Sequence, residues 1–296
     1  MTTGIVTCYR HHDRRAGVAC QRCGRPICPS CMVPASVGFH CPECARRGGQ
    51  RVRTLRSRHA RPVVTQLLIA LNVLVFAVDL VAAGRASLWG QGYSVVSEQG
   101  LLVGAALGRQ GQPIGVVDGE WWRIVTSGFL HAGLLHLGMN MFVLWILGSQ
   151  LEPALGRARF LALYITSLVA GAFGVLLVSP TVPTVGASGA IFGLLGAAFA
   201  AQKARGIDPW QSGIGGLLIL NLVITFAVPG ISIGGHVGGL IGGMVAGFVI
   251  FRLEEKVRSP VPALIACAVL TAVLWLGCLW AASHWADPVL GFLSLR

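Results

Sequence analysis

Charged side chains are scarce in this chain. Asp, Glu, Lys and Arg together make up 11% of its 296 residues, hydrophobic residues make up 54%, and the mean hydropathy is +0.70. A composition so short of charge places most of the chain in the polytopic membrane class rather than the globular one. Acidic residues are the scarcest, 11 against 23 Lys plus Arg, for a formal net charge of +12. The imbalance is local, because residues 1 to 61 hold twelve Arg against only Asp13 and Glu43. A basic block can mean nucleic acid, but this one has no clear reading helix. Its place just ahead of a membrane span fits topology and anionic lipid instead. The start, Met1 to Cys8, shows no cleavable signal peptide, so the N-terminal segment is expected in the cytosol.

What the chain has in abundance is apolar runs. With a span taken as roughly 20 residues, seven are expected: 63–83, 129–149, 158–179, 186–202, 211–229, 234–251 and 261–284. If the N-terminus is inside, the loops carrying Arg157 and Arg159, then Lys203 and Arg205, then Arg252, Lys256 and Arg258 all fall on the cytoplasmic side, as the positive-inside rule asks. The long segment over 84–128 is then extracytoplasmic, with Trp89, Trp121 and Trp122 marking an interfacial part. Neither inverted repeats nor broken helices are visible, which argues against a small-solute transporter.

Seven of the nine cysteines lie between residues 8 and 44: Cys8, Cys20-x2-Cys23, Cys28-x2-Cys31 and Cys41-x2-Cys44, with His11, His12 and His40 among them. Two thiolates at CxxC spacing can bite one zinc ion with tetrahedral geometry. Cys8-x2-His11 supplies a fourth pair, so eight ligands make two four-coordinate sites. The order of pairs suggests a cross-brace, the first with the third and the second with the fourth. All positions are filled by protein, which makes the zinc structural rather than catalytic, and a disulfide framework is disfavoured on the cytosolic side. His12 and His40 stay open as substitutes for a listed ligand. Cys267 and Cys278, in the last span, read as buried apolar side chains.

Inside the apolar region four polar groups converge. On the inferred topology the spans beginning near 129, 186 and 234 run in the same direction. Ser188 opens one, His236 opens another, and His136 and Asn140 sit about two turns into the third, at an i, i+4 spacing that shares a helix face. Singly, each has an ordinary explanation: a Ser bonds back to its own helix, and a His or Asn glues two helices. Together, at membrane depth, they constitute a functional hypothesis. Gly235, Gly239, Gly243 and Gly247 repeat every fourth residue, and Gly189 and Gly193 begin a similar stripe beside Ser188. Such surfaces let backbones approach closely enough for a Ser to His hydrogen bond. No carboxylate falls at that depth to orient His236, so a Ser188/His236 dyad is expected. Asp79 reads as interfacial and Glu152 as a structural tie.

These residues resemble the rhomboid family of intramembrane serine proteases, through GlyAlaSer188Gly, His236-x2-Gly239-x3-Gly243, His136-x3-Asn140 and the TrpTrpArg at 121–123. The Cys-rich leader resembles the B-box-type zinc finger found ahead of some actinobacterial rhomboids. The resemblance implies an all-α polytopic fold with a six-helix core over 63–252 and a seventh transmembrane helix and tail over 253–296. Ahead of these would stand a zinc-stabilised domain over 1–46 and a basic linker over 47–62. It implies Ser188 as nucleophile and His236 as general base. The Ser188 N–H, His136 and Asn140 would be oxyanion donors, with Phe192, His131, Gly186, Gly239 and Gly243 in support. No cofactor would be needed for catalysis. Transmembrane proteins are the implied substrates, cut near the outer face of a bacterial membrane. Lipid and a cytosolic partner of the leader are further expected contacts, and a catalytically weak binder of transmembrane clients is the alternative.

Overall fold

The computed structural model describes residues 6–35, 38–47, 61–90, 94–257 and 259–294. Most of the expected linker, and Arg258, lie outside them. The chain divides into two compact units, Met1–Ala60 and Arg61–Arg296.

The first unit is built from two hairpins and one helical turn and a half. Strand β1 (Val18–Ala19) pairs antiparallel with β2 (Pro26–Ile27), β3 (Val33–Pro34) pairs with β4 (Phe39–His40), and α1 (Pro42–Arg47) follows. Its buried core is Ile27 with five cysteines, Cys8, Cys20, Cys28, Cys31 and Cys41. A core made almost wholly of thiols removes little apolar surface from water. These hairpins, with a third between β5 (Ala106–Leu107) and β6 (Pro113–Ile114), correct the all-α expectation. Each strand is two residues long, too short to show the alternation by which a strand is recognised.

All seven expected spans are helical in the second unit: α2 (Val63–Ala83), α5 (Leu134–Leu155), α6 (Arg157–Val178), α7 (Ser188–Ala204), α8 (Ile214–Ala227), α9 (Ile233–Lys256) and α10 (Val261–Ser294). Short helices α3 (Val95–Gly100) and α4 (Arg123–Thr126) lie between α2 and α5. Five of the seven, α2, α5, α6, α9 and α10, are long and apolar enough to cross a membrane. Helix α8, with 14 residues, is about 21 Å long at 1.5 Å per residue, short of a full hydrocarbon core. The second span begins at residue 134 rather than 129, because Ala132 and Gly133 (φ 95°) form a turn before it. It continues to residue 155 through an internal Pro153.

Glycine sets the packing of α6, α7 and α9. A methyl group built on Gly239 would overlap the backbone of Gly189, one on Gly243 the backbone of Gly193, and one on Gly247 would press on Ala197. These rungs ascend together, so α7 and α9 run parallel. On the opposite face of α9, Gly234 meets Gly174 and Gly238 meets Ala170 and Gly174, descending rungs that make α6 antiparallel to it. Helix α10 lies along α6, where Thr271 Oγ1 is 2.9 Å from Thr166 Oγ1 and Gly277 faces Phe173.

Buried charges tie the helix ends. Glu152, near the end of α5, accepts hydrogen bonds from the backbone N–H groups of Val64 (2.9 Å) and Thr65 (2.8 Å) and from the Thr65 hydroxyl (2.8 Å). A carboxylate from one helix thereby caps the positive end of another, the structural tie expected of it. Asp79 is buried and accepts from the hydroxyls of Ser94 and Ser97, which form a capping box at the start of α3.

Because the atoms opposing Gly243 are main chain, a side chain there has no flexible neighbour to displace. Gly243→Ala is expected to destabilise the detergent-solubilised protein by about 1–3 kcal/mol. The same change at Gly216, within α8 where a methyl group meets nothing within 4 Å, should leave the unfolding midpoint unchanged or raise it slightly, since alanine is the better helix former. Equal midpoints for the two variants would contradict the backbone-contact account.

Candidate functional site

Ser188 is the first residue of α7, where the backbone N–H groups of the opening turn have no carbonyl a turn earlier to bond. The strand-like segment before it is pinned by the outer loop. Leu102 and Thr184 exchange two backbone hydrogen bonds of 2.9 Å, and the Gly186 N–H donates to Ser127 O at 2.9 Å. That loop is held in turn by Arg123, whose side chain is 1% exposed. It bonds Glu120 at 2.7 Å and donates to the carbonyls of Glu98 (2.6 Å) and Leu101 (2.9 Å). The Arg of the TrpTrpArg element thus acts from inside the loop, while Trp121 and Trp122 remain exposed.

His236 lies in the first turn of α9, which Ser232 caps by accepting from the Gly235 N–H at 3.1 Å. Its Nε2 is 2.8 Å from Ser188 Oγ. The Phe192 ring, one turn beyond Ser188, stacks on the imidazole with centroids 4.1 Å apart and planes inclined by 20°. The backbone contact of Gly189 with Gly239 lies just below this pair and sets how closely the two helices approach.

The other ring nitrogen of His236 has a partner that the sequence did not reveal. Thr225 Oγ1, from α8, lies 2.7 Å from His236 Nδ1. A threonine in an apolar span reads as one bonding its own helix, and it also does that, to Asn221 O at 2.7 Å. Nothing in the local pattern signals the second contact, which depends on how α8 stands against α9.

His136 occupies the first turn of α5, at the same end of the bundle. Its Nδ1 accepts from the Ala132 N–H at 3.3 Å. A backbone N–H can only donate, so the proton of a neutral ring is on Nε2, which lies beside Gly186 and Ser188. Gly186 adopts φ 133°, and a methyl group built there would stand 2.9 Å from His136 Nε2 and 3.5 Å from Ser188 Oγ. Glycine therefore makes room for the imidazole. Asn140 is buried, but its Nδ2 donates back to His136 O at 3.0 Å. His131 is buried against His136, ring centroids 5.1 Å apart, with both its nitrogens unpartnered. Ser188, His236, His136, Asn140 and His131 all line one cavity of about 1080 Å³.

In the N-terminal unit, Cys8, His11, Cys28 and Cys31 form one cluster, and Cys20, Cys23, Cys41 and Cys44 another. Within each, the ligating atoms lie within 4.8 Å of one another. His11 Nδ1 is 3.4 Å from Cys28 Sγ and 3.3 Å from Cys31 Sγ, and Cys23 Sγ is 3.7 Å from Cys41 Sγ. A tetrahedral zinc with sulfur at 2.3 Å has an edge of about 3.8 Å, so the spacing suits such an ion. Burial raises the Cys8 thiol, but backbone hydrogen bonds from Arg10, Cys28 and His11 outweigh it and lower the group to about 6. Cys20 is likewise lowered to about 6, burial opposing and the backbone of Cys41, Arg22 and Cys23 prevailing. In the same clusters Cys31 is raised to about 11, chiefly by burial, and Cys44 to about 12, chiefly by its bond with Cys23, so each cluster combines a lowered thiol with a raised one. All nine cysteines are free of disulfides.

Residues 118–253 match the family described as Rhomboid domain. The chain is similar to the rhomboid protease GluP of Bacillus subtilis, 34% identical over 182 residues, which is 60% of this chain and 33% of that one. It is similar to the putative rhomboid protease YdcA of the same organism, 46% identical over 87 residues, 29% of this chain and 44% of that one. An inactive RHOMBOID-like protein 8 from Arabidopsis thaliana is 34% identical over 106 residues, 36% of this chain and 30% of that one. The chain thus spans less than half the length of each of these relatives. The domain match and the rhomboid protease relatives support the rhomboid family for this chain.

Proposed function

We propose that the chain is an intramembrane serine endopeptidase that cleaves transmembrane proteins near the outer leaflet. Ser188 is the nucleophile and His236 the general base. The observation that carries this reading is the 2.8 Å separation of His236 Nε2 from Ser188 Oγ, within the range a nucleophile and its base require. His236 takes the hydroxyl proton as Ser188 Oγ attacks the scissile carbonyl, then returns it to the leaving amine. Water releases the acyl group by the same route in reverse. The Ser188 N–H at the start of α7 and the Nε2–H of His136 are the donors for the developing oxyanion. Asn140 donates one Nδ2 hydrogen to His136 O, which leaves the second for the oxyanion.

The bundle's charge supports the orientation. The basic residues Arg157, Arg159, Lys203, Arg205, Arg252 and Lys256 sit at the starts or ends of α6, α7 and α9 opposite to Ser188 and His236. Arg159 pairs there with Glu254 at 2.6 Å. The positive-inside rule puts that end in the cytoplasm of a bacterial cell and the reactive pair near the external face. A substrate helix must unwind locally before its carbonyl can be attacked, because a regular helix hides its carbonyls in its own hydrogen bonds.

In proteoliposomes carrying a single-span reporter, wild type is expected to cut. Ser188→Ala and His236→Ala should each fall below about 1% of its rate, and His136→Ala about a hundredfold. Equal cleavage by wild type and Ser188→Ala would defeat the proposal. A client binder without proteolysis predicts instead that the reporter co-purifies with both and stays whole.

The leader is proposed to hold two structural zinc ions, one in each cluster, supplying cross-links to a domain with little apolar core. The purified chain should contain about two zinc ions, and Cys20→Ser with Cys23→Ser about one. A leader that stays folded without metal would remove the claim.

A further inference from the structure

The Thr225 hydroxyl has one proton and two close partners. Asn221 O, 2.7 Å away, is a carbonyl and can only accept. The proton of Thr225 therefore goes to Asn221, and its oxygen is left to accept from the second partner, His236 Nδ1, also at 2.7 Å. That assignment puts the imidazole proton of a neutral His236 on Nδ1. Nε2 is then a bare acceptor facing Ser188 Oγ at 2.8 Å, and the serine hydroxyl points its proton at it. The chain Asn221 O, Thr225 Oγ1, His236, Ser188 has one consistent set of donors and acceptors, running in the direction that a general base needs.

Thr225 is 2% exposed, while α8 otherwise buries only Ile214 and Gly215 at its far end. Leu220, Val223 and Phe226 of the same helix are exposed. Thr225 is the one fully buried side chain in the outer half of α8, beside half-buried Asn221, Leu222 and Ile224, and it ends on the base.

We infer that Thr225 is a positioning residue: its hydroxyl holds His236 in the Nδ1–H tautomer and in the orientation that presents Nε2 to Ser188. In doing so it fills the place that a carboxylate takes in three-membered serine hydrolase sites, without introducing a buried charge at membrane depth. The inference rests on the proteolytic reading of Ser188 and His236 and adds a third group to it. It also makes the competence of the base depend on where α8 stands, because the group that orients the ring belongs to a different helix from the ring.

The test compares wild type, Thr225→Val and Thr225→Ser on a single-span reporter, with labelling of Ser188 by a fluorophosphonate as a second readout. Valine keeps the shape of threonine and removes the hydroxyl; serine keeps the hydroxyl and removes the methyl. Thr225→Val is expected to lower kcat about ten- to a hundredfold, with KM within about threefold of wild type and a parallel fall in labelling rate. Thr225→Ser should restore both to within about threefold, and the thermal midpoints of the variants should stay close to that of wild type. Two outcomes would overturn the inference: Thr225→Val turning over at the wild-type rate, or Thr225→Ser as slow as Thr225→Val, which would assign the effect to the methyl group. Wild type that neither cleaves nor labels at Ser188 would overturn the proteolytic reading itself, and this inference with it. Slow Thr225→Val beside an active wild type and an inactive Ser188→Ala would support both.

Discussion

The contact of α7 with α9 over bare backbone is what the rest of the molecule depends on. Gly239 and Gly243 lie against the backbone of Gly189 and Gly193 with no room for a methyl group on either of the first two, so two parallel helices lie closer than side chains ordinarily permit. Ser188 and His236 stand at the top of that seam, on the first turns of the two helices. A short serine and an imidazole reach each other only because the helices beneath them touch. The opposite face of α9 makes an equally close contact with α6, through Gly234, Gly238 and Gly174. The helix carrying the imidazole is therefore clamped from both sides.

Among the described residues this chain, with so little charge, buries three side chains of Asp, Glu and Arg, and each of them is hydrogen-bonded. Glu152 caps α2, Asp79 holds the capping box of α3, and Arg123 gathers the carbonyls of the outer loop. Charge placed at such depth is tolerated when it is paired with hydrogen-bonding groups of the protein. The effect reaches the site through the loop, because the segment leading into Ser188 is paired to Leu102 and Ser127, residues of the loop that Arg123 organises. The polar groups at the mouth of the bundle and the seam of glycines within it thus act on the same two atoms, one locating the helix start and the other the distance across.

The N-terminal unit follows a different physics. Its core is largely thiol, its strands are two residues long, and its four ligand pairs interleave so that each cluster joins distant parts of the segment. Such a unit has little apolar core and two clusters of thiol and imidazole that could hold metal ions, where the membrane unit is held by packing.

Much of this was legible in the residues themselves. The seven helical segments, the two Cys/His clusters and the convergence of Ser188, His236 and His136 follow from spacing and hydropathy, since a helix period, a CxxC bite and an apolar run are local properties. The resemblance placed Phe192 in support of the site, but its stack on His236 joins α7 to α9 and needed the packed bundle. Tertiary structure alone decided what depends on how one element stands against another. The hydroxyl of Thr225 on Nδ1 of His236, the turning of the Asn140 amide back to its own helix, the burial of Arg123 and the brief hairpins leave no periodic mark. Their partners are brought together by packing across the bundle or by loop closure, and no spacing along the chain encodes those distances.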